Sequence, residues 1–449
     1  MQRVFSYVKE GAPRFIEELR TLIRQPSISA QGIGIRECAM LLREMMEKCG
    51  ISAQIHQTER NPILLGEVRL ERADRTLLLT AHYDVQPPDP IDKWNSPPFE
   101  ARLKNGRIVG RGATDCKGNL MAILKAVESM LQTLGDVPVN LKFLFDGEEE
   151  IGSPSLPGFI EKNRDLLKVD SVVTLDAGFD PSGRPFVWLG NSGLLSVDIT
   201  SQGAKWDLHS SRARLVMNPA WRLIWALSTI KDRDENVLIE GFCDQAKPPS
   251  VEESKLLDEF PWNDQEQKDA LGIDNFLLGV GGRNALERLL FQPTCSVTGI
   301  TSGYSGAGQK AVLPSRAQAK LEFRLVPFQD PDDILRKLRN HLAANGFGDL
   351  TVSVIAKTEP ATTSLSSKVS RAAIKAASDV YGLAPVVKPR HEGSGRQGTW
   401  IASRLRVDGL LTGVGPPRWQ GHAPNEFITV EHYLNGIRYV ASIIHEYGR

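Results

Sequence analysis

Two periods of hydrophobic and polar positions alternate along the first 190 residues. Residues 13–24 and 35–49 place apolar side chains every three or four positions and predict amphipathic helices; Gln25-Pro26 breaks the first and Gly50 stops the second. Residues 52–56 and 63–69 predict strands. They precede Leu77-Leu-Leu-Thr-Ala-His82, an apolar run that reads as a strand buried on both faces. Residues 139–145 and 171–176 repeat that form, each apolar run reaching an aspartate, and 119–134 predicts a helix between the His82 strand and the first of them. Strand, loop, helix, strand is the order of an α/β fold with a mainly parallel sheet.

The pattern changes near Phe186. Residues 187–200, 295–300, 317–325 and 350–355 predict strands and 219–230 and 332–345 helices, with a polar, proline-bearing region at 232–274. Lys320-Leu-Glu-Phe-Arg324-Leu alternates as a strand with one exposed face does. We read 187–360 as an inserted α+β domain. Residues 1–186 and 361–449 then form one α/β domain, whose last helices are predicted at 368–381 and 430–447.

The acids sit at strand ends. His82 and Asp84 are two apart and point to one side of an extended segment, a spacing that suits either a plain ion pair or a metal-binding imidazole held by a carboxylate. Glu148-Glu-Glu150 follows the next strand, Asp176 ends the third, and Asp115 lies in the turn Gly110-Arg-Gly-Ala-Thr-Asp-Cys-Lys-Gly118. In open α/β sheets ligands bind beyond the carboxyl ends of the strands. So many carboxylates in one cleft are tolerable beside a divalent cation. Zinc accepts imidazole and carboxylate ligands, and manganese or cobalt suits the same set. The glycine-rich turn matches neither phosphate-binding pattern, and its aspartate would repel phosphate. No G-x-S-x-G occurs for a serine hydrolase. A two-carboxylate glycosidase would leave His82 and His422 without roles.

Composition narrows the setting. Lys plus Arg equals Asp plus Glu at 54 each, which gives no reason to expect nucleic acid or a membrane as partner. The first ten residues carry charges where a secretory signal needs its apolar core. Five scattered cysteines without C-x-x-C spacing fit a reduced, cytoplasmic location.

In order along the chain, His82-Tyr-Asp84, the Gly110–Gly118 turn, Glu148-Glu-Glu-Ile-Gly-Ser, Asp176 and His422-Ala-Pro-Asn-Glu426 resemble the motifs of the dinuclear metallopeptidases of aminoacylase, acetylornithine deacetylase and carnosinase type. Asp207-Leu-His209-Ser, Asn218-Pro and Phe323-Arg324-Leu-Val-Pro resemble lid motifs of the carnosinase-like dipeptidase branch. The resemblance implies a zinc-peptidase catalytic domain interrupted by a lid that also dimerises. It implies two divalent ions per chain: Asp115 shared, His82 and Asp176 on one, Glu150 and His422 on the other. Asp84 would orient His82. Glu149 would be the general base, taking a proton from a bridging water. His209 would reach the oxyanion across a homodimer, and Arg324 would grip a substrate carboxylate. Relatives read Glu-Gly-Gly-Ser-Ile-Pro where this chain has Glu392-Gly-Ser394-Gly395-Arg396-Gln, and threonine where it has Ala311. Ser394, Gly395 and Arg396 are therefore candidate substrate contacts, in a pocket that departs from that of a plain dipeptidase. The expected activity is hydrolysis of a dipeptide or another exopeptidase substrate. A deacylase of N-acyl amino acids or other amides is the alternative, and a non-catalytic binding protein on the same fold is the weaker third reading. His391 reads as a surface histidine beside this pocket; His56, His341, His432 and His445 read as structural.

Overall fold

The computed structural model describes every residue except 71, 72, 396 and 397, so the expected contact of Arg396 lies outside the described residues. The chain forms two compact units. Unit 1 comprises Met1–Asn191, Thr362–Arg390 and Gly395–Arg449; unit 2 comprises Ser192–Ala361 and His391–Ser394.

Unit 1 is built on an eight-stranded sheet. Thr76–His82 lies between Asn140–Asp146 and Ser171–Gly178, parallel to both, and Asp408–Gly415 continues parallel beyond the latter. Leu77, Leu78, Leu79 and Ala81 are all fully buried, which is why this strand is apolar without alternation. Ile63–Val68 and Ser52–His56 add antiparallel strands at one edge. Helix Lys117–Leu134 packs against Val430–Gly448 and against Gln2–Glu10 and Ala12–Arg24. Covered on several sides, it is buried over most of its circumference, and its charged groups are partnered: Lys125 Nζ lies 2.7 Å from Glu128 Oε2, and Lys117 Nζ donates to the Leu22 and Gln25 carbonyls at 3.1 and 2.6 Å.

Unit 2 holds a four-stranded antiparallel sheet in the order Thr294–Ser302, Arg316–Leu325, Gly193–Gln202, Thr351–Thr358. Leu321, Phe323 and Leu325 face a core shared with helices Pro219–Ile230 and Pro331–Ala344, so Lys320, Glu322 and Arg324 face the other way. The single strand expected at 187–200 is three pieces, Phe186–Trp188, Gly190–Asn191 and Gly193–Gln202. Apolar periodicity continues through the break because both ends are buried, each in its own unit. The polar region expected at 232–274 contains Val251–Glu259 and Asp264–Leu271, followed by Gly282–Phe291. Ser250 and Glu253 form a reciprocal capping box at the first, a spacing already visible in the sequence. Among the described residues no helix is long and apolar enough to cross a membrane.

Candidate metal centre

Parallel strands in unit 1 deliver their acids and histidine to one end. His82 closes its strand opposite Asp146 of the neighbour, and Asp176 sits in Ser171–Gly178. Glu149 and Glu150 occupy the short turn after Asn140–Asp146. Asp115 lies just before Lys117–Leu134, across a cis peptide bond from Cys116. His422 comes from the loop before Phe427–Thr429, which pairs with Arg107–Val109 and so returns the late motif to the Asp115 turn.

These side chains gather around Asp115. His82 Nε2 is 2.9 Å from Asp115 Oδ1 and 3.3 Å from Asp176 Oδ1. On the other carboxylate oxygen, His422 Nε2 is 3.0 Å from Asp115 Oδ2 and 3.2 Å from Glu150 Oε2. His82 Nε2 is buried and, despite these distances, lacks the alignment of a hydrogen bond to any partner. A buried imidazole nitrogen aimed between two carboxylates without a bond to either fits a metal ligand. Among the described residues, His82 with Asp115 and Glu150, and His82 with Cys116 and Asp176, are the groups able to hold an ion. The Cys116 thiol is pushed well up by burial, and its Sγ donates to the Leu175 carbonyl at 3.0 Å.

Two buried carboxylates hold this arrangement in place. His82 Nδ1 lies 3.0 Å from the Asp84 carbonyl oxygen and 3.3 Å from Asp84 Oδ1. Asp84 in turn accepts the backbone N–H of Glu149 and of Glu150, each at 3.1 Å, so one carboxylate fixes both the imidazole and the acidic turn. Glu426, to which sequence reasoning assigned no role, is fully buried and accepts N–H bonds from Gly112, Thr114 and Asp115 at 3.1, 2.9 and 3.0 Å. Arg111 neutralises it at 2.8 Å. Its place in the His422 motif, with an arginine in the Asp115 turn, was the available signal. Gly118 belongs to the same turn; a Cβ there would lie 2.2 Å from the Ala113 carbonyl oxygen. His422 itself has φ 58°, a left-handed conformation costing roughly 1–3 kcal/mol in a non-glycine residue and found most often at functional sites.

Electrostatics divide the carboxylates. Burial raises the proton affinity of Glu149 well above the usual range, and Asp176, Glu150 and Asp115 add to it against the opposing pull of His82. Asp115 goes the other way: burial would raise it, but the nearby imidazoles of His422 and His82 outweigh that and hold it low. Bonding to Asp115, then to Glu150, lifts His422 to about 10.

The remaining candidates lie mostly in unit 2. His209 is exposed, in a two-residue strand paired with Val312–Leu313, and its Nδ1 is 2.9 Å from Ser211 Oγ. Ala311 offers its carbonyl oxygen to the Ser210 N–H at 3.1 Å and has no hydroxyl. Arg324 donates to Ser394 Oγ at 2.8 Å and pairs with Glu322 at 2.7 Å. Gly395 belongs to unit 1, where a Cβ would come 3.8 Å from Glu149 Oε1.

Comparison with known proteins follows the same residues. The sequence pattern of Peptidase family M20/M25/M40 matches residues 78–446. An M20 family metallo-carboxypeptidase, Sso-CP2 of Sulfolobus solfataricus, is 40% identical, with 97% of this chain and 99% of that chain covered and a TM-score of 0.87. The Cys-Gly metallodipeptidase dug1 of Schizosaccharomyces pombe is 28% identical over 99% of this chain and 98% of its own length. Human carnosine dipeptidase 1 shares the fold, with a TM-score of 0.76 at 24% identity over 100% of this chain and 98% of that one. With the match extending from the strand of His82 to the terminal helix, the chain belongs to Peptidase family M20/M25/M40 and is a metal-dependent hydrolase of peptide bonds.

Proposed function

We propose that this enzyme is an exopeptidase, a dipeptidase or close relative, acting on a substrate whose leaving residue carries a free carboxylate. The observation behind it is the paired geometry around Asp115, with His82 and Asp176 near one oxygen and His422 and Glu150 near the other. Those five residues would hold two divalent ions, zinc by donor chemistry with manganese or cobalt as substitutes. When bound, the ions supply Lewis-acid polarisation of the scissile carbonyl and make an attacking water more acidic. Glu149 takes the proton from that water and passes it to the leaving amine; its raised proton affinity suits a group that must carry a proton between steps. Asp84 keeps His82 in one tautomer and holds the Glu149 backbone in place.

Unit 2 serves this chemistry as a lid and as the dimer contact. Its helix Pro219–Ile230 leaves Trp221, Ile224 and Trp225 exposed at 54, 43 and 54% on one side, an apolar stripe suited to a second copy of the chain. His209 contributes across that dimer to the oxyanion. Arg324, with Ser394 and Gly395, receives the carboxylate. The Cys-Gly metallodipeptidase and the metallo-carboxypeptidase differ by name in substrate length, but dipeptidase and carboxypeptidase substrates both end in a free carboxylate on the leaving residue. All five cysteines are free, which suits the cytoplasm.

The test is a panel of dipeptides, tripeptides, C-terminally amidated dipeptides and N-acyl amino acids, given to chelated protein reloaded with zinc, manganese or cobalt. Dipeptide cleavage abolished by amidation supports the reading. Cleavage of N-acyl amino acids alone would transfer it to a deacylase, the alternative that Ala311 keeps open. Fewer than two bound ions per chain at saturation counts against the paired centre, and a monomer in sedimentation removes the role given to His209 of a second copy.

A further inference from the structure

Three consecutive glutamates follow the strand Asn140–Asp146, and the first is placed differently from the other two. Glu149 and Glu150 are half-buried, whereas Glu148 is fully buried. A carboxylate out of water needs its lone pairs met, and three donors meet this one. The Asn61 N–H reaches Oε1 at 2.8 Å, the Ser155 N–H reaches Oε2 at 2.8 Å, and Ser155 Oγ donates to Oε1 at 3.0 Å. The backbone of Glu148 is tied as well. Its N–H donates to Asp146 Oδ1 at 3.2 Å, and its carbonyl accepts the N–H groups of Ile151 and Ser153 at 3.1 and 2.8 Å. Asp146, also fully buried, takes the Ser153 hydroxyl at 2.5 Å. Asn61 Nδ2 adds a bond to the Gly147 carbonyl at 2.8 Å, and the Tyr83 hydroxyl donates to the Pro62 carbonyl at 2.6 Å. Three successive N–H groups therefore end on buried carboxylates, Glu148 on Asp146 and Glu149 and Glu150 on Asp84.

We propose that Glu148 is a positioning residue: by anchoring the acidic turn to Asn61 and Ser155, it sets where the Glu149 carboxylate and the Glu150 ligand stand. The proposal rests on the reading of Glu149 as proton carrier and Glu150 as ligand, and every residue in it belongs to unit 1. Asp84 by itself does not immobilise the turn. Two adjacent N–H bonds to one carboxylate leave the segment free to rock about that line, and Gly147 and Gly152 on either side of the acids do not stiffen it. Glu148 supplies a fixed point away from the line, on the Asn61 and Ser155 side. The anchor requires a carboxylate. All three groups that meet it are donors, so both oxygens must accept, and a glutamine would turn an NH₂ group toward one of them. Displacing a reacting group by about 1 Å can lower a rate by about 10²-fold, so the position of this turn bears directly on turnover.

Two measurements test this. On metal-loaded enzyme, with a peptide from the panel above, Glu148→Gln should lower kcat about 10–100-fold and leave KM within about twofold. Cobalt-loaded protein gives a readout apart from turnover. At equal cobalt content the visible absorption band of Glu148→Gln should shift from that of the unsubstituted protein, because Glu150 meets its ion in an altered geometry. Asn61→Ala and Ser155→Ala each remove one side-chain bond of the anchor and should lower kcat about 2–10-fold. Ser155 makes no side-chain cap bond to the helix Leu156–Lys162, so its hydroxyl has no second task there. These milder variants decide the question if Glu148→Gln does not fold. A lower unfolding midpoint with kcat and the cobalt band unchanged marks a merely structural role and overturns the proposal, as does a rise in KM at constant kcat. If Glu149→Gln keeps full activity while Glu148→Gln still shifts the cobalt band, the proton-carrier reading fails and the positioning of Glu150 stands.

Discussion

The sheets of the two units solve opposite problems. In unit 1 the central strands run parallel and are buried on both faces, so polar side chains collect at their ends, where His82, Asp84, Glu149, Glu150 and Asp176 are found. In unit 2 the antiparallel sheet buries one face against Pro219–Ile230 and Pro331–Ala344 and leaves Glu322 and Arg324 on the other. The contrast extends to support. Asp84 and Glu426 are fully buried and hold the first site through several backbone N–H bonds, whereas His209 is exposed and its ring bonds only locally, to Ser211. The proposed metal centre is thus held by buried backbone bonds, while the proposed lid histidine is held lightly.

Removing the proposed proton carrier should give the largest effect. Glu149→Gln should lower kcat by about 10²–10⁴-fold with metal content unchanged, measured by steady-state kinetics beside elemental analysis. Next is the buried scaffold. Glu426→Gln leaves the buried Arg111 without its counter-charge and should cost about 3–5 kcal/mol in denaturant unfolding. A loss below about 1 kcal/mol would break the contrast in support drawn between the units. Asp84→Asn should weaken metal binding about 10–100-fold, read by competition with a chelating dye. Chelation should destabilise unit 1, by about 2.7 kcal/mol per site for an ion present at a hundred times its dissociation constant. Limited proteolysis should then show new cuts in unit 1 before unit 2. The smallest change is expected at the lightly held end. His209→Ala should shift stability by no more than about 0.5 kcal/mol while lowering kcat.

Much of the α/β unit was legible because its strands are buried on both faces and its helices are amphipathic; the strand ending at His82 and the helix ending at Leu134 lie where periodicity puts them. The break between Trp188 and Gly193 was not legible, since apolar residues on both sides report burial and not which core they enter. Helix Val251–Glu259 was hidden in a polar stretch, although its capping box was readable. Glu426 was quoted with its motif but carried no visible job, because its partners Arg111, Gly112, Thr114 and Asp115 lie more than 300 positions away.

By itself the sequence determined the kind of chemistry available: imidazole and carboxylate side chains at strand ends and turns, in an order shared with a peptidase family. Only the tertiary structure decided which atoms meet. The pairing of Phe427–Thr429 with Arg107–Val109 brings His422 beside Asp115, and the loop after Ser52–His56 places the Asn61 N–H on Glu148. The physical reason is that periodicity reports how each segment is buried, whereas contacts between distant segments depend on packing that no local pattern encodes.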